Sequence, residues 1–186
     1  KWRDLIQFKM LIDSFLFFKE YDLLEIRLKY LYDHVDLFVI VESGQSFNGL
    51  KKNFNFEEKI FRYKKYLDKI KYYKITDFHK SSSEVYEYLA RKKEKSNIHN
   101  FMNSHSHYNK SMIWWVLDSY HRECIHLALK EVSHPNDFIM ISDVDEIPNP
   151  ETRKNLIDKD LEIPHYLVMK WYMYWMNNEV SEPWVG

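Results

Sequence analysis

Short apolar runs alternate along this chain with stretches of helical period. Phe8 to Phe15 reads as a first strand, and Asp36-Leu-Phe-Val-Ile-Val-Glu42 as a second, buried one. Between them Leu24, Leu28, Leu31 and Val35 form one stripe, which predicts a helix over Glu20–Val35. Ser43–Asn53 is punctuated by Gly44 and Gly49 and reads as loop. Phe56–Lys69 then reads as helix and Ile70–Ile75 as a third strand. Leu117, Tyr120, Cys124 and Leu127 recur at helical spacing and predict a helix over Trp114–Glu131. Phe138-Ile-Met-Ile-Ser142 predicts another buried strand, too apolar for a solvated edge; Pro150–Asp160 reads as helix and Tyr166–Met176 as a long aromatic strand. Alternating strands and helices predict an α/β fold, a mostly parallel central sheet with helices on both faces. Lys80–Ser111 breaks the pattern with Ser81-Ser82-Ser83, the basic run Arg91-Lys92-Lys93 and many His, Asn and Ser. It is expected to be a mobile insertion holding one short helix, Val85–Lys95.

The 186 residues suit one domain, residues 1–186, with a core of its own. A net charge of −1 gives no global reason to bind nucleic acid or an acidic membrane. Cys124 is the one cysteine, so the chain holds no internal disulfide, and a reducing compartment is the simpler expectation. Three glycines cannot supply a P-loop or a Gly-x-Gly-x-x-Gly turn, so any nucleotide must be held by a metal and side chains. No apolar run is long enough to span a membrane, and no signal peptide is visible. Because the chain starts at Lys1 rather than Met, it is expected to belong to a longer protein, where an anchor would have to lie.

The chemistry concentrates where the apolar run at Phe138 ends in Asp143-Val-Asp145-Glu146-Ile-Pro148. Strand side chains alternate, so Asp143 and Asp145 are expected on one face at the strand end, where ligands bind open α/β sheets. Adjacent carboxylates repel unless a cation lies between them, and a divalent ion with oxygen ligands fits. The plainer reading is a strand-end turn in which Asp145 or Glu146 caps the next element. Glu42 ends the second strand and would share that crevice, or it is a turn acid facing solvent. Asp118 and Arg122, four apart, form at least a surface ion pair; functionally, Arg122 would face phosphate oxygens. A zinc site among His99, His105, His107, His121 and His126 is disfavoured, since no Cys pair accompanies them.

Together these segments resemble glycosyltransferase family 17, whose members include β-1,4-mannosyl-glycoprotein β-1,4-N-acetylglucosaminyltransferases. The matching residues are Ile12-Asp13-Ser14-Phe15, Glu20-Tyr-Asp-Leu-Leu-Glu-Ile-Arg27, Val35 to Ser43 with Phe47-Asn-Gly49, Trp115 with Asp118, Tyr120 and Arg122, and Ser142 to Pro148. The resemblance implies a GT-A-type nucleotide-binding sandwich and an inverting, metal-dependent transfer of GlcNAc from UDP-GlcNAc to a glycan hydroxyl. It implies Asp145 and Asp143 as ligands of Mn²⁺ or Mg²⁺. It places Asp143, Glu42, Asp118, Arg122, Ser14 and Phe15 at the nucleotide sugar.

Inversion requires a general base. Glu182 and Glu179 are the first candidates and Glu146 a third. Trp171, Tyr172, Tyr174 and Trp175 would offer sugar-stacking faces, and the Lys80–Ser111 stretch would fold over substrate. Richness in Lys, Asn, Ile, Tyr and Phe suggests an AT-rich bacterial or viral source and a cytoplasmic enzyme, or a Golgi-lumenal one if an anchor lies elsewhere. Two alternatives remain. One is a haloacid-dehalogenase-like phosphatase, in which the first Asp is the nucleophile. The other is a carbohydrate-binding domain without catalysis.

Overall fold

In a computed structural model of the chain, the described residues are 9–151, 164–172 and 178–185. The apolar runs become β1 (Leu11–Leu16), β2 (Leu37–Ser43), β3 (Ile70–Ile75) and β4 (Phe138–Asp143). They form one sheet in the order β3-β2-β1-β4, with every pair parallel. From β1 the chain builds outward through β2 to β3, then returns to the other flank of β1 for β4. The sheet order therefore reverses between β1 and β4, and the crevice outside their carboxyl ends is the expected ligand position.

Strand parity sorts the core. Leu11, Phe15, Phe38 and Ile40 point to one face, where Leu24, Leu28 and Leu31 of α1 (Tyr21–Leu31) meet them. Ile12, Val39, Val41 and Ile75 point to the other, under Val116, Leu117, Tyr120 and Cys124 of α5 (Ile113–Lys130). The predicted helix Phe56–Lys69 is instead a single α turn, α2 (Asn55–Glu58), followed by a 3₁₀ segment, Ile60–Lys69. Its buried residues, Tyr63 and Tyr66, are three apart, and a three-residue period keeps both facing inward.

The stretch Lys80–Ser111 is folded onto the sheet, contrary to the expectation of a mobile insertion. It forms α3 (Ser82–Arg91), a 3₁₀ turn Lys93–Lys95 and α4 (Ser96–Ser104). Ser81 caps α3 by accepting from the Glu84 amide at 3.3 Å. Val85, Leu89, Ile98 and Met102 are buried against α5, so few apolar anchors in a polar stretch suffice. The buried Lys95 ammonium lies 3.3 Å from Asp77 and donates to the Tyr120 hydroxyl, tying this layer to α5.

Two more expectations change. Among the described residues β4 is an edge strand after all, with Ile139 41% and Ile141 59% exposed. Among the described residues of the expected aromatic strand, only Val168–Met169 form a strand, β5, antiparallel to β6 (Trp184–Val185). Most of Pro150–Asp160 and the residues 173–176, with Tyr174 and Trp175, lie outside the described residues.

Candidate functional site

The acids sit where the sheet order reverses. Leu16 of β1 is in register with Asp143 of β4, so the two strands end side by side. Paired residues in a parallel ladder share a face. Asp143 therefore lies with Leu16 on the α5 face, and its carboxylate takes both forks of Arg122, at 2.6 and 3.2 Å. Arg122 also reaches back to Asp118 at 3.2 and 3.3 Å. The i,i+4 pair exists, and the same guanidinium also lines the crevice.

Asp145 reaches the same space by another route than strand alternation. The strand stops at Asp143, and the Glu146 amide donates to the Asp143 carbonyl at 3.0 Å to close a turn. Val144 is buried, while Asp143 is half-exposed and Asp145 exposed, so the middle residue anchors the turn and the acids flank it. Glu146 braces it, accepting the Asp143 amide at 2.9 Å and the Trp184 indole N–H.

Two cavities share both Asp143 and Asp145 of this turn. The first, about 230 Å³, is lined by Leu16, Phe17, Phe18, Val41, Ser43, Gln45, Phe47, Lys52, His121 and Arg122 together with Asp143 and Asp145. The Phe47 and His121 rings are 5.5 Å apart on its wall. Burial pushes the His121 imidazole down to about 4, so it is neutral at neutral pH. The second cavity, about 840 Å³, is lined by Leu23, Met169, Lys170, Trp171, Tyr172 and Trp184 with Asp143, Asp145 and Glu146. Trp171 and Trp184 rings lie 5.7 Å apart, and their indole N–H groups are spent on the Glu182 carbonyl and the Glu146 carboxylate.

Several expected site residues lie elsewhere. Glu42 shares the parity of Phe38 and Ile40, so it points to the α1 face and is fully buried. Its oxygens accept the Asn55 amide at 2.7 Å, the Phe56 amide at 3.0 Å, the Tyr72 hydroxyl at 2.8 Å and the Lys52 ammonium. It caps α2, and Ser43 is the residue of that strand end that faces the cavity. Ser14 and Phe15 are fully buried as well. Ser14 donates to the Met140 carbonyl at 2.8 Å, and Phe15 lies under the Arg27 guanidinium at 4.4 Å. The next residues, Leu16 to Phe18, provide the lining instead. Glu179 is paired with Lys170 at 3.0 Å; Glu182 is exposed, and neither carboxylate lines the second cavity.

The donor set suits a hard divalent cation that completes its shell with water and substrate oxygens: two carboxylates, one of them, Asp145, without an ion pair among the described residues. No group of three His, Cys, Asp or Glu that could hold a metal occurs among the described residues. A cage made of protein ligands alone, zinc included, is therefore not formed there.

One residue of a matching segment was given no role by the sequence. Arg27 of α1 is fully buried, pairs with Asp13 through two bonds of 2.8 and 2.6 Å, and reaches across to the acid turn. Its signal in the sequence was a charged residue within the apolar stripe of a helix, next to Leu24, Leu28 and Leu31.

The family model of glycosyltransferase family 17 matches residues 1–114 of the 186. That span runs from the first strand to the second residue of α5 and ends before the acid turn. No curated protein and no solved structure matches the chain.

Proposed function

The chain belongs to glycosyltransferase family 17, and from that premise we propose that it moves GlcNAc from UDP-GlcNAc to a glycan hydroxyl with inversion, aided by a divalent cation. The observation that supports this is the meeting of two cavities at Asp143 and Asp145, where the sheet order reverses. The smaller cavity takes the nucleotide. Phe47 and the neutral His121 offer it flat apolar faces, and Lys52 and Arg122 offer positive charge. Asp145, with Asp143, would hold Mn²⁺ or Mg²⁺, which as a Lewis acid neutralises the charge on the leaving diphosphate. Arg122 adds charge-assisted donors to the same oxygens and is preorganised by Asp118.

The wider cavity takes the acceptor. Trp171 and Trp184 have committed their N–H groups internally, which leaves their ring faces for the C–H side of a sugar. The acceptor hydroxyl attacks the anomeric carbon, its proton goes to the base, and the nucleoside diphosphate departs. Of the two expected bases Glu182 is the one without an ion pair among the described residues, whereas Glu179 is tied to Lys170; with its carbonyl fixed by Trp171 at the cavity wall, the Glu182 side chain would have to turn inward to reach the acceptor hydroxyl. Membership of a glycosyltransferase family sets the phosphatase alternative aside.

Thermal unfolding with a panel of nucleotide sugars, with and without Mn²⁺, tests the proposal. At roughly 100 times the dissociation constant, UDP-GlcNAc with Mn²⁺ should add about 2.7 kcal/mol, or roughly 5–10 °C in Tm. Asp145→Ala, an exposed change, should keep the unliganded Tm within about 1–2 °C and lose the ligand shift. In the same assay Glu182→Gln should keep the shift while transfer is lost. A wild-type protein indifferent to every nucleotide sugar and metal would end the proposal. Donor binding without turnover on any glycan would favour the non-catalytic alternative.

A further inference from the structure

We propose that Arg27 is the positioning residue of the acid turn: one buried guanidinium holds the turn in the shape that presents Asp143 and Asp145 together. This rests on the reading of that turn as the donor and cation site.

Arg27 is placed to do this by three segments far apart in sequence. Its Nε and one terminal nitrogen bind Asp13 of β1 at 2.8 and 2.6 Å. The same terminal nitrogen donates to the Ser142 hydroxyl at 2.7 Å. The other terminal nitrogen gathers three carbonyls of the turn, Asp143 at 2.7 Å, Val144 at 3.2 Å and Glu146 at 3.0 Å. Strand parity explains the reach. Ser142 is in register with Phe15, and both point to the α1 face, while Asp143 with Leu16 points to the α5 face. Arg27 thus grips the turn from beneath, and Asp143 is left to the crevice above.

Charge makes the arrangement specific. Asp143, Asp145 and Glu146 put three carboxylates into four residues, and their repulsion favours opening the turn. Carbonyls drawn to one charged donor in a dry site oppose that opening. Asp13, itself fully buried, neutralises Arg27, so the outer acids keep their negative potential for a cation. A lysine would preserve the charge and the Asp13 pair, but its compact ammonium lacks the fork that spans carboxylate, hydroxyl and three carbonyls.

The test compares wild type with Arg27→Lys by two readouts. Hydrogen exchange should quicken at residues 143–147 by at least roughly tenfold more than in β1 and β2, because local opening adds to any global loss. Affinity for UDP-GlcNAc with Mn²⁺ should fall roughly 10- to 100-fold, as when a residue orienting metal ligands is changed. A merely structural role would lower protection evenly and leave donor affinity alone, and that result overturns the proposal. If Arg27→Lys does not fold, Ser142→Ala removes one anchor without burying a lone charge. It should quicken exchange in the same five residues, and unchanged exchange there overturns the proposal. If wild type binds no nucleotide sugar, the donor reading fails, and the exchange comparison still decides the role of Arg27.

Discussion

Arg122 is the residue on which the crevice turns. It holds Asp143 by both forks, occupying the side of the carboxylate that a metal or a diphosphate would compete for. Its guanidinium is half-exposed, so the pair is screened and worth about 1 kcal/mol or less, weak enough to exchange partners. Arg122→Gln should therefore bind Mn²⁺ alone a few-fold more tightly than wild type, since the resident cation is gone. The same variant should bind UDP-GlcNAc with Mn²⁺ roughly tenfold more weakly, since charged donors to phosphate are worth more than about 1.5 kcal/mol. Titration calorimetry of metal alone, then of donor with metal, reads both. Weaker binding of metal alone would show that Arg122 supports the cation rather than standing in for it.

At the scale of elements, the layer of α3 and α4 depends on Lys95. Burial works against its charge, and Asp77 offsets this. Burial would likewise raise Asp77, but hydrogen bonds from His79 and Tyr120 and the charge of Lys95 hold it well below the usual carboxylate range. Removing one partner of a buried pair leaves the other uncompensated and costs about 3–5 kcal/mol. Lys95→Ala should lower Tm by roughly 6–20 °C. Its hydrogen exchange should rise first in 82–104 and only later in β1 and β2. Uniform exchange would mean that the apolar anchors Val85, Leu89, Ile98 and Met102 hold the layer unaided. A polar, basic composition was a poor guide here because four apolar contacts and one buried ammonium outweigh the solvated remainder.

For the whole molecule, stability should depend on pH through His121. Its folded pKa, about 4, lies below the ordinary value of 6.5, because the ring is buried between Phe47 and Tyr120. A folded state that binds the proton less readily than the unfolded chain loses stability as pH falls. The loss begins near 6.5 and is complete below about 4. The expected deficit is about 2 kcal/mol at pH 5 relative to pH 7. Urea unfolding at both values should show it in wild type and lack it in His121→Gln; equal deficits would assign the loss to other groups. No helix among the described residues is long and apolar enough to cross a membrane.

Periodicity alone determined the parallel α/β sheet, its strand positions and the helix that carries Arg122, because burial on two faces leaves an unmistakable apolar record. Motif spacing also marked Asp143, Asp145 and Arg122, since charge at the end of an apolar run is conspicuous. Tertiary structure decided which strand-end residues look into the crevice. Phe15 and Glu42 read as site residues but lie on the α1 face, while Ser14 shares the crevice face with Leu16 and is buried two residues short of the strand end; only the pairing of β1 with β2 and β4 sets that parity. It also decided that the acids are held by Arg27, more than a hundred residues away in sequence at separations of 115 to 119. A side chain's local pattern records whether it is buried, whereas its partner is chosen by the packing of elements that the local pattern does not contain.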